Sequence, residues 1–492
     1  MRDMLRGLFV LVSIVMAPHA KAAWMIAETT HLAVQADAPA EQVQAVARDL
    51  ERFDAFLRQV VGAPSIESRI RHRVIIYPDV QTVRRATGIG GFGGGFTRTT
   101  PFGRMAIVAP DKAGGIVPQE TLFHEYAHLF MATVLGANQP GWFIEGFAGL
   151  FETAQFRSGG VVRFGPNPQM LSILNDGGST PFAQIQGMTA DRVDAPPSPA
   201  LYASGWLIVH HYYFDGPRHR EIAAYLRAVR EGTLARNADS YFTGGMAGFD
   251  AALARYRLAM PAARDVPVPT SPVIAATVRQ MGESEIDLIR IALATRRDLV
   301  DTESSTEMGE VLDRLEALSQ THPEETGGVQ VMALSALWLN QFPRLLAIAD
   351  RMLAVSPDNA DILAMRGLAL TGVGMDDPGA GFDTRMRAAR ALIDQALARD
   401  PRNFLALYAR YRNMIAQDGV SAEAGSYLRR AHEADPSVDF VVWQLIDLYA
   451  RIGLRADAIA LLAPMANRPD PSPMRDMAQK RLAALNADTP RD

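Results

Sequence analysis

In the first quarter of the chain 28–35 contains the alternating apolar and polar pattern of a strand, and two short continuous apolar runs, 74–77 and 105–109, are further strand candidates. Between the first two runs, 40–61 repeats its apolar residues every three to four positions, as an amphipathic helix does. A glycine-rich stretch, 88–96, reads as a loop, and 118–135 returns to helical spacing just after the third strand. From Gly141 onward helical spacing dominates, with helices expected at 142–156, 200–214, 218–231 and 247–259. The pattern predicts an α+β unit that turns helical in its second half.

The run Asp265-Val266-Pro267-Val268-Pro269-Thr270-Ser271-Pro272 interrupts the helical pattern and suits an extended linker, expected at 263–273. Beyond it Pro323, Pro357, Pro401, Pro436 and Pro471 recur at intervals of 34, 44, 35 and 35 residues. Three intervals match a helical-hairpin repeat, and the long one holds a Gly/Asp-rich insertion at 371–383. Within the intervals 359–370 pairs with 384–399, and 403–417 with 421–433. This spacing, with Gly453 and Ala458-Ile459 at a turn and second helix, resembles tetratricopeptide repeats, which implies an all-α solenoid over 274–486 and a short tail at 487–492.

Composition bounds the possibilities. At 492 residues, 48% hydrophobic and 21% charged, the chain has the make-up of a globular protein with more than one domain. A net charge of −5 without a basic block gives no field for nucleic acid. The start reads as a secretory signal at 1–22: Arg2 and Arg6, an apolar run at 8–17, then Ala20-Lys21-Ala22 as a cleavage site, with 23–262 as the first mature domain. That run is too short for a stable membrane anchor, so an exported, periplasmic or secreted protein is expected. The lack of cysteine removes disulfides and thiolate metal ligands.

The chemistry concentrates in His124-Glu125-Tyr126-Ala127-His128. On a helix, positions i and i+4 lie one above the other, so both imidazoles can hold one ion while Glu125 stands beside it as a base. A catalytic zinc commonly takes a third protein ligand and keeps a position open. Glu145, in Trp142-Phe143-Ile144-Glu145-Gly146-Phe147-Ala148, is the best candidate, because a carboxylate among so many apolar neighbours is costly to bury unpaired.

These residues resemble the gluzincin metallopeptidases of the peptidase MA-like kind, over about 28–214 and most specifically from Phe123 to Glu152. The resemblance implies a zincin-like domain with one zinc ion on His124, His128 and Glu145, and Glu125 as general base for hydrolysis of a peptide or protein substrate. It also implies that the strand at 105–109 lies over the metal helix and pairs with extended substrate. Gly149 stands where an acidic partner is common, and Glu152, on the same helical face, could replace it in orienting a histidine. Tyr202 resembles the tyrosine that steadies the oxyanion in several members; His210 and His211 compete for that duty but sit in an apolar helix as packing residues would.

Gly88 to Gly93 spells G-x-G-x-x-G without a following helix or Lys-Ser/Thr, and reads as a flap or connector. His31, His72, His219, His322 and His432 lack partners at ligand spacing and read as structural. A partner-binding role is expected for the repeats. The alternative from another class is a repeat scaffold whose zinc domain is inactive or structural, and a zinc hydrolase of non-peptide amides is also compatible with the motif.

Overall fold

The computed structural model describes residues 23–64, 71–87, 94–100, 102–111, 117–136, 139–188, 198–233, 238–260, 263–268, 274–294, 302–435, 438–467 and 473–487. The expected signal at 1–22 and most of the glycine-rich stretch lie outside them. The chain begins with β1 (Trp24–Glu28), β2 (Leu32–Asp37), α1 (Ala40–Val61), β3 (His72–Ile76), α2 (Val80–Thr87), β4 (Gly95–Thr100) and β5 (Gly103–Val108). With β9 (Thr277–Gln280) the strands form one sheet in the order β4-β5-β3-β2-β1-β9, in which β2–β3 and β3–β5 are parallel and the other pairs antiparallel.

Strand periodicity feeds two cores. Val34, Val74, Ala106 and Val108 point to one face, against α1 and α3 (Gln119–Phe130), while Ala33, Ile75, Met105 and Ile107 point to the other, against α2 and the later α10 (Glu283–Ala294). With both faces covered, β2 is buried over nearly its whole length. Helix α1 matches its expected span, burying Val43, Ala47, Leu50, Phe53 and Leu57, and stops at Gly62, whose φ of 69° suits glycine.

After α3, five residues continue as a π turn (Met131–Leu135), and α4 (Gly141–Phe151) folds back beside it. Then follow β6 (Gln155–Arg157), β7 (Val161–Phe164), α5 (Pro168–Gly177), α6 (Phe182–Ile185), α7 (Pro199–Tyr213), α8 (His219–Glu231) and α9 (Gly245–Leu258). The segment expected as a linker contains β8 (Arg264–Pro267), which pairs with β7 in a three-stranded sheet, and β9 returns to the main sheet. Within the expected linker 264–267 is thus a paired strand rather than an unpaired extended segment, and 269–273 lie outside the described residues. Proline is tolerated at Pro267 because β8 is an edge strand, where a missing N–H leaves no gap in the ladder.

The rest is mostly helical: α10, α11 (Thr302–Thr321), α12 (Val329–Trp338), α13 (Phe342–Val355), α14 (Ala360–Asp376), α15 (Phe382–Arg399), α16 (Phe404–Asp418), α17 (Ala422–Ala434), α18 (Asp439–Arg451), α19 (Arg455–Ala466) and α20 (Pro473–Ala487). A continuous apolar core runs from Leu288 to Leu448 and a smaller one from Ile446 to Leu485. Among the described residues no helix is long and apolar enough to cross a membrane.

Candidate metal centre

Helix α3 buries Leu122, Phe123, Tyr126 and Phe130 and leaves His124 and His128 half-buried on the side that faces α4. Helix α4 is apolar all round and almost wholly buried, so Glu145 is an isolated carboxylate within it. Its Oε2 lies 3.5 Å from His124 Nε2 and 3.6 Å from His128 Nε2. All three ligand atoms fall within 4.8 Å of one another. Donors bound tetrahedrally at about 2.0–2.2 Å to one zinc ion are roughly 3.3–3.6 Å apart, so the Glu145 distances fit such an ion without rearrangement.

The polar bookkeeping of the site points the same way. Glu145 Oε2 is buried and accepts no hydrogen bond among the described residues, a cost that a cation between the three groups removes. His124 Nδ1 donates to Glu152 Oε2 at 2.6 Å, which in the neutral ring leaves the Nε2 lone pair toward Glu145. Glu152 is held in turn by Asn167, whose Nδ2 donates to Glu152 Oε1 and to the Gly149 carbonyl, while its Oδ1 caps α5 through the Gln169 and Met170 N–H groups. Burial opposes a charge on His124, yet the Glu145 and Glu152 carboxylates outweigh it and hold the imidazole well above the ordinary histidine range. The pocket draws in positive charge.

Glu125 lies beside this group, 7% exposed. Burial pushes its carboxyl up to about 7; His124 opposes that rise, and Glu145 adds to it. The Thr97 hydroxyl lies 3.0 Å from Glu125 Oε2 and 3.0 Å from its carbonyl oxygen. Tyr202, on α7, has its ring centroid 6.2 Å from that of His124. Burial, then Glu145 and Glu125, push its hydroxyl upward, so it stays protonated and able to donate.

His210 and His211 do not compete with it. His210 is buried, stacks on Phe214 at 3.9 Å and has Nδ1 2.9 Å from the Tyr256 hydroxyl, and His211 packs edge-on against Phe249 and Tyr256. The strand expected to receive substrate is also corrected. Both edges of β5 are taken, by β3 and β4, and β4 is the edge strand beside α3. His31 belongs to a buried cluster behind α3: its Nδ1 meets Glu51 Oε1 at 2.6 Å, Arg58 binds Asp54, and the Tyr126 hydroxyl donates to Asp54 at 2.7 Å.

Sequence reasoning missed Thr97, Gly95 and Asn167. The pair Asn167-Pro168 carried a helix-start signal, which announces the cap but not the bond to Glu152. No known protein-family model matches this chain, and no curated protein matches it at a significant level.

Proposed function

We propose that the chain is an exported zinc-dependent peptidase of the gluzincin kind. The observation that carries this reading is the convergence of His124, His128 and the otherwise unsatisfied Glu145 Oε2 beside the buried carboxylate of Glu125. Nitrogen and oxygen donors in this number suit zinc with an open position; a purely structural zinc site ordinarily closes with four protein ligands.

His124, His128 and Glu145 would hold a zinc ion, which would supply Lewis acidity for activating a water and polarising a substrate carbonyl. Glu125 takes the proton as the water oxygen attacks the carbonyl carbon, and delivers it to the amine nitrogen as the C–N bond breaks. Tyr202 donates to the oxygen that gains charge during the attack. Glu152 and Asn167 hold His124 in the ligating tautomer. The strand β4, the edge of the sheet among the described residues, suits an extended peptide pairing through its backbone, and the helical region, read as tetratricopeptide-like, serves to bind a partner or present substrate.

The test is a zinc assay of the purified chain, followed by cleavage of a mixed peptide library with and without chelator. One zinc per chain and chelator-reversible cleavage are expected. Glu125→Gln is expected to keep the metal and lose at least about 100-fold in turnover, the contribution of a general base. Full activity in that variant overturns the mechanism.

A further inference from the structure

Among the described residues, one face of the edge strand β4 lies against Glu125 from outside its own helix. Gly95 and Thr97 are two residues apart on β4, so both point toward α3, while Phe96 between them joins the core on the opposite face. Thr97 Oγ1 reaches Glu125 Oε2 at 3.0 Å. A Cβ on Gly95 would stand 2.6 Å from Glu125 Cγ and 2.9 Å from Oε1, closer than atoms tolerate. Gly95 has no left-handed backbone angle to account for it, unlike Gly94, whose φ is 109°. Room for the Glu125 side chain is what the glycine provides.

We propose that Gly95 and Thr97 form a seat for the Glu125 carboxylate, with Thr97 as a positioning residue for the general base; this rests on the hydrolase reading above. A glutamate side chain on a helix has several rotamers, and choosing one during the reaction costs entropy at the barrier. The Thr97 hydroxyl, whose one proton is shared between Oε2 and the Glu125 carbonyl oxygen, holds the carboxylate in place in advance. The missing side chain at Gly95 lets the strand lie close enough for that bond. The same hydroxyl is 3.0 Å from the Glu125 carbonyl oxygen, so strand and helix are registered at the residue whose side chain they position.

The experiment uses the full chain with Thr97→Val, which keeps the shape without the donor, Thr97→Ser, which keeps the donor, and Gly95→Ala. Zinc content, crystallographic placement of the Glu125 carboxylate, and kcat and KM on the library peptide that the unmodified chain cleaves best are read together. Thr97→Val is expected to keep one zinc and a KM within about twofold, lose about 10- to 100-fold in kcat, and show the carboxylate displaced; Thr97→Ser restores both. Gly95→Ala, with the hydroxyl intact, is expected to displace the carboxylate by contact, which keeps the seat testable if Thr97→Val does not fold. An unmoved carboxylate with kcat within about twofold in Thr97→Val overturns the seat. If the zinc-loaded chain cleaves nothing, or Glu125→Gln is fully active, the hydrolase reading fails, and carboxylate placement in the variants still decides the seat.

Discussion

His124 can offer Nε2 to a cation because its Nδ1 proton is engaged by Glu152, and Glu152 is held because Asn167 engages its other oxygen. Removing the middle of that chain leaves the ring free to rotate and to change tautomer. Glu152→Ala is therefore expected to weaken zinc binding by about 10- to 100-fold, as loss of a partner to a ligating histidine does. Competition with a chromophoric chelator measures it, and unchanged affinity would remove Glu152 from that role. Glu145 and Glu152 were legible in the sequence because each lies within about two helical turns of a recognisable segment and their spacing fixes the face. Thr97 and Asn167 were not. Thr97 acts across 28 residues and Asn167 across 15, and nothing in a strand's alternation states which helix its face will meet.

Helices α4 and α7 approach until backbone touches backbone. A Cβ on Gly146 would lie 2.3 Å from the Gly205 carbonyl oxygen, and one on Gly205 2.3 Å from that of Trp142. No side-chain rotation relieves either contact, so a methyl group there separates the helices that carry Glu145 and Tyr202. Gly205→Ala is expected to cost about 1–3 kcal/mol of stability and to weaken zinc binding with it. Urea unfolding and metal titration check both, and a chain equally stable with unchanged affinity would show that the helices can shift without cost. Glycine also misled the sequence reading of 371–383 as an insertion outside the helices. Helix α14 continues to Asp376, and Gly372 is there because the Phe342 ring lies where its side chain would be. Helix α1 was read to its ends since its periodicity is long. Short strands were less legible: the single run expected at 28–35 takes in the end of β1, the turn at 29–31 and the first four residues of β2, and β6 and β7 went unseen at three and four residues.

At the scale of the molecule, the helical region is attached to the first domain at both ends. Helix α10 packs on the sheet through Ile289, Ala292 and Leu293, and Arg98 of β4 donates to the Leu293 carbonyl. At the far end Asn467 donates to the Gly232 carbonyl, and a Cβ on Gly232 would clash with the Ala463 backbone. Between these attachments the first domain keeps three buried histidines neutral. Burial lowers His72 to about 4, with Asp54 opposing, and His211 to about 4, with His219 and Arg218 adding and Glu221 opposing. His210 is lowered to about 3 by burial and then by His211.

For such a group the folded value lies below the unfolded one, near 6.5, so the unfolded chain binds more protons between the two. Stability from His210 is complete above about pH 6.5 and falls as pH drops toward about 3, by about 1.4 kcal/mol per pH unit. Groups at the candidate metal site titrate over part of this range too, so the comparison that isolates His210 is the unmodified chain against His210→Phe. Phenylalanine keeps a ring over Phe214, and at pH 7 the variant is expected to be less stable by about 1 kcal/mol, for the lost bond to Tyr256. By pH 5 the unmodified chain has lost about 2 kcal/mol that the variant keeps, and the order of stabilities reverses. Urea midpoints of both chains at pH 7, 6 and 5 measure the gap; a gap that does not change with pH would mean that His210 takes up its proton as readily in the folded chain as in the unfolded one.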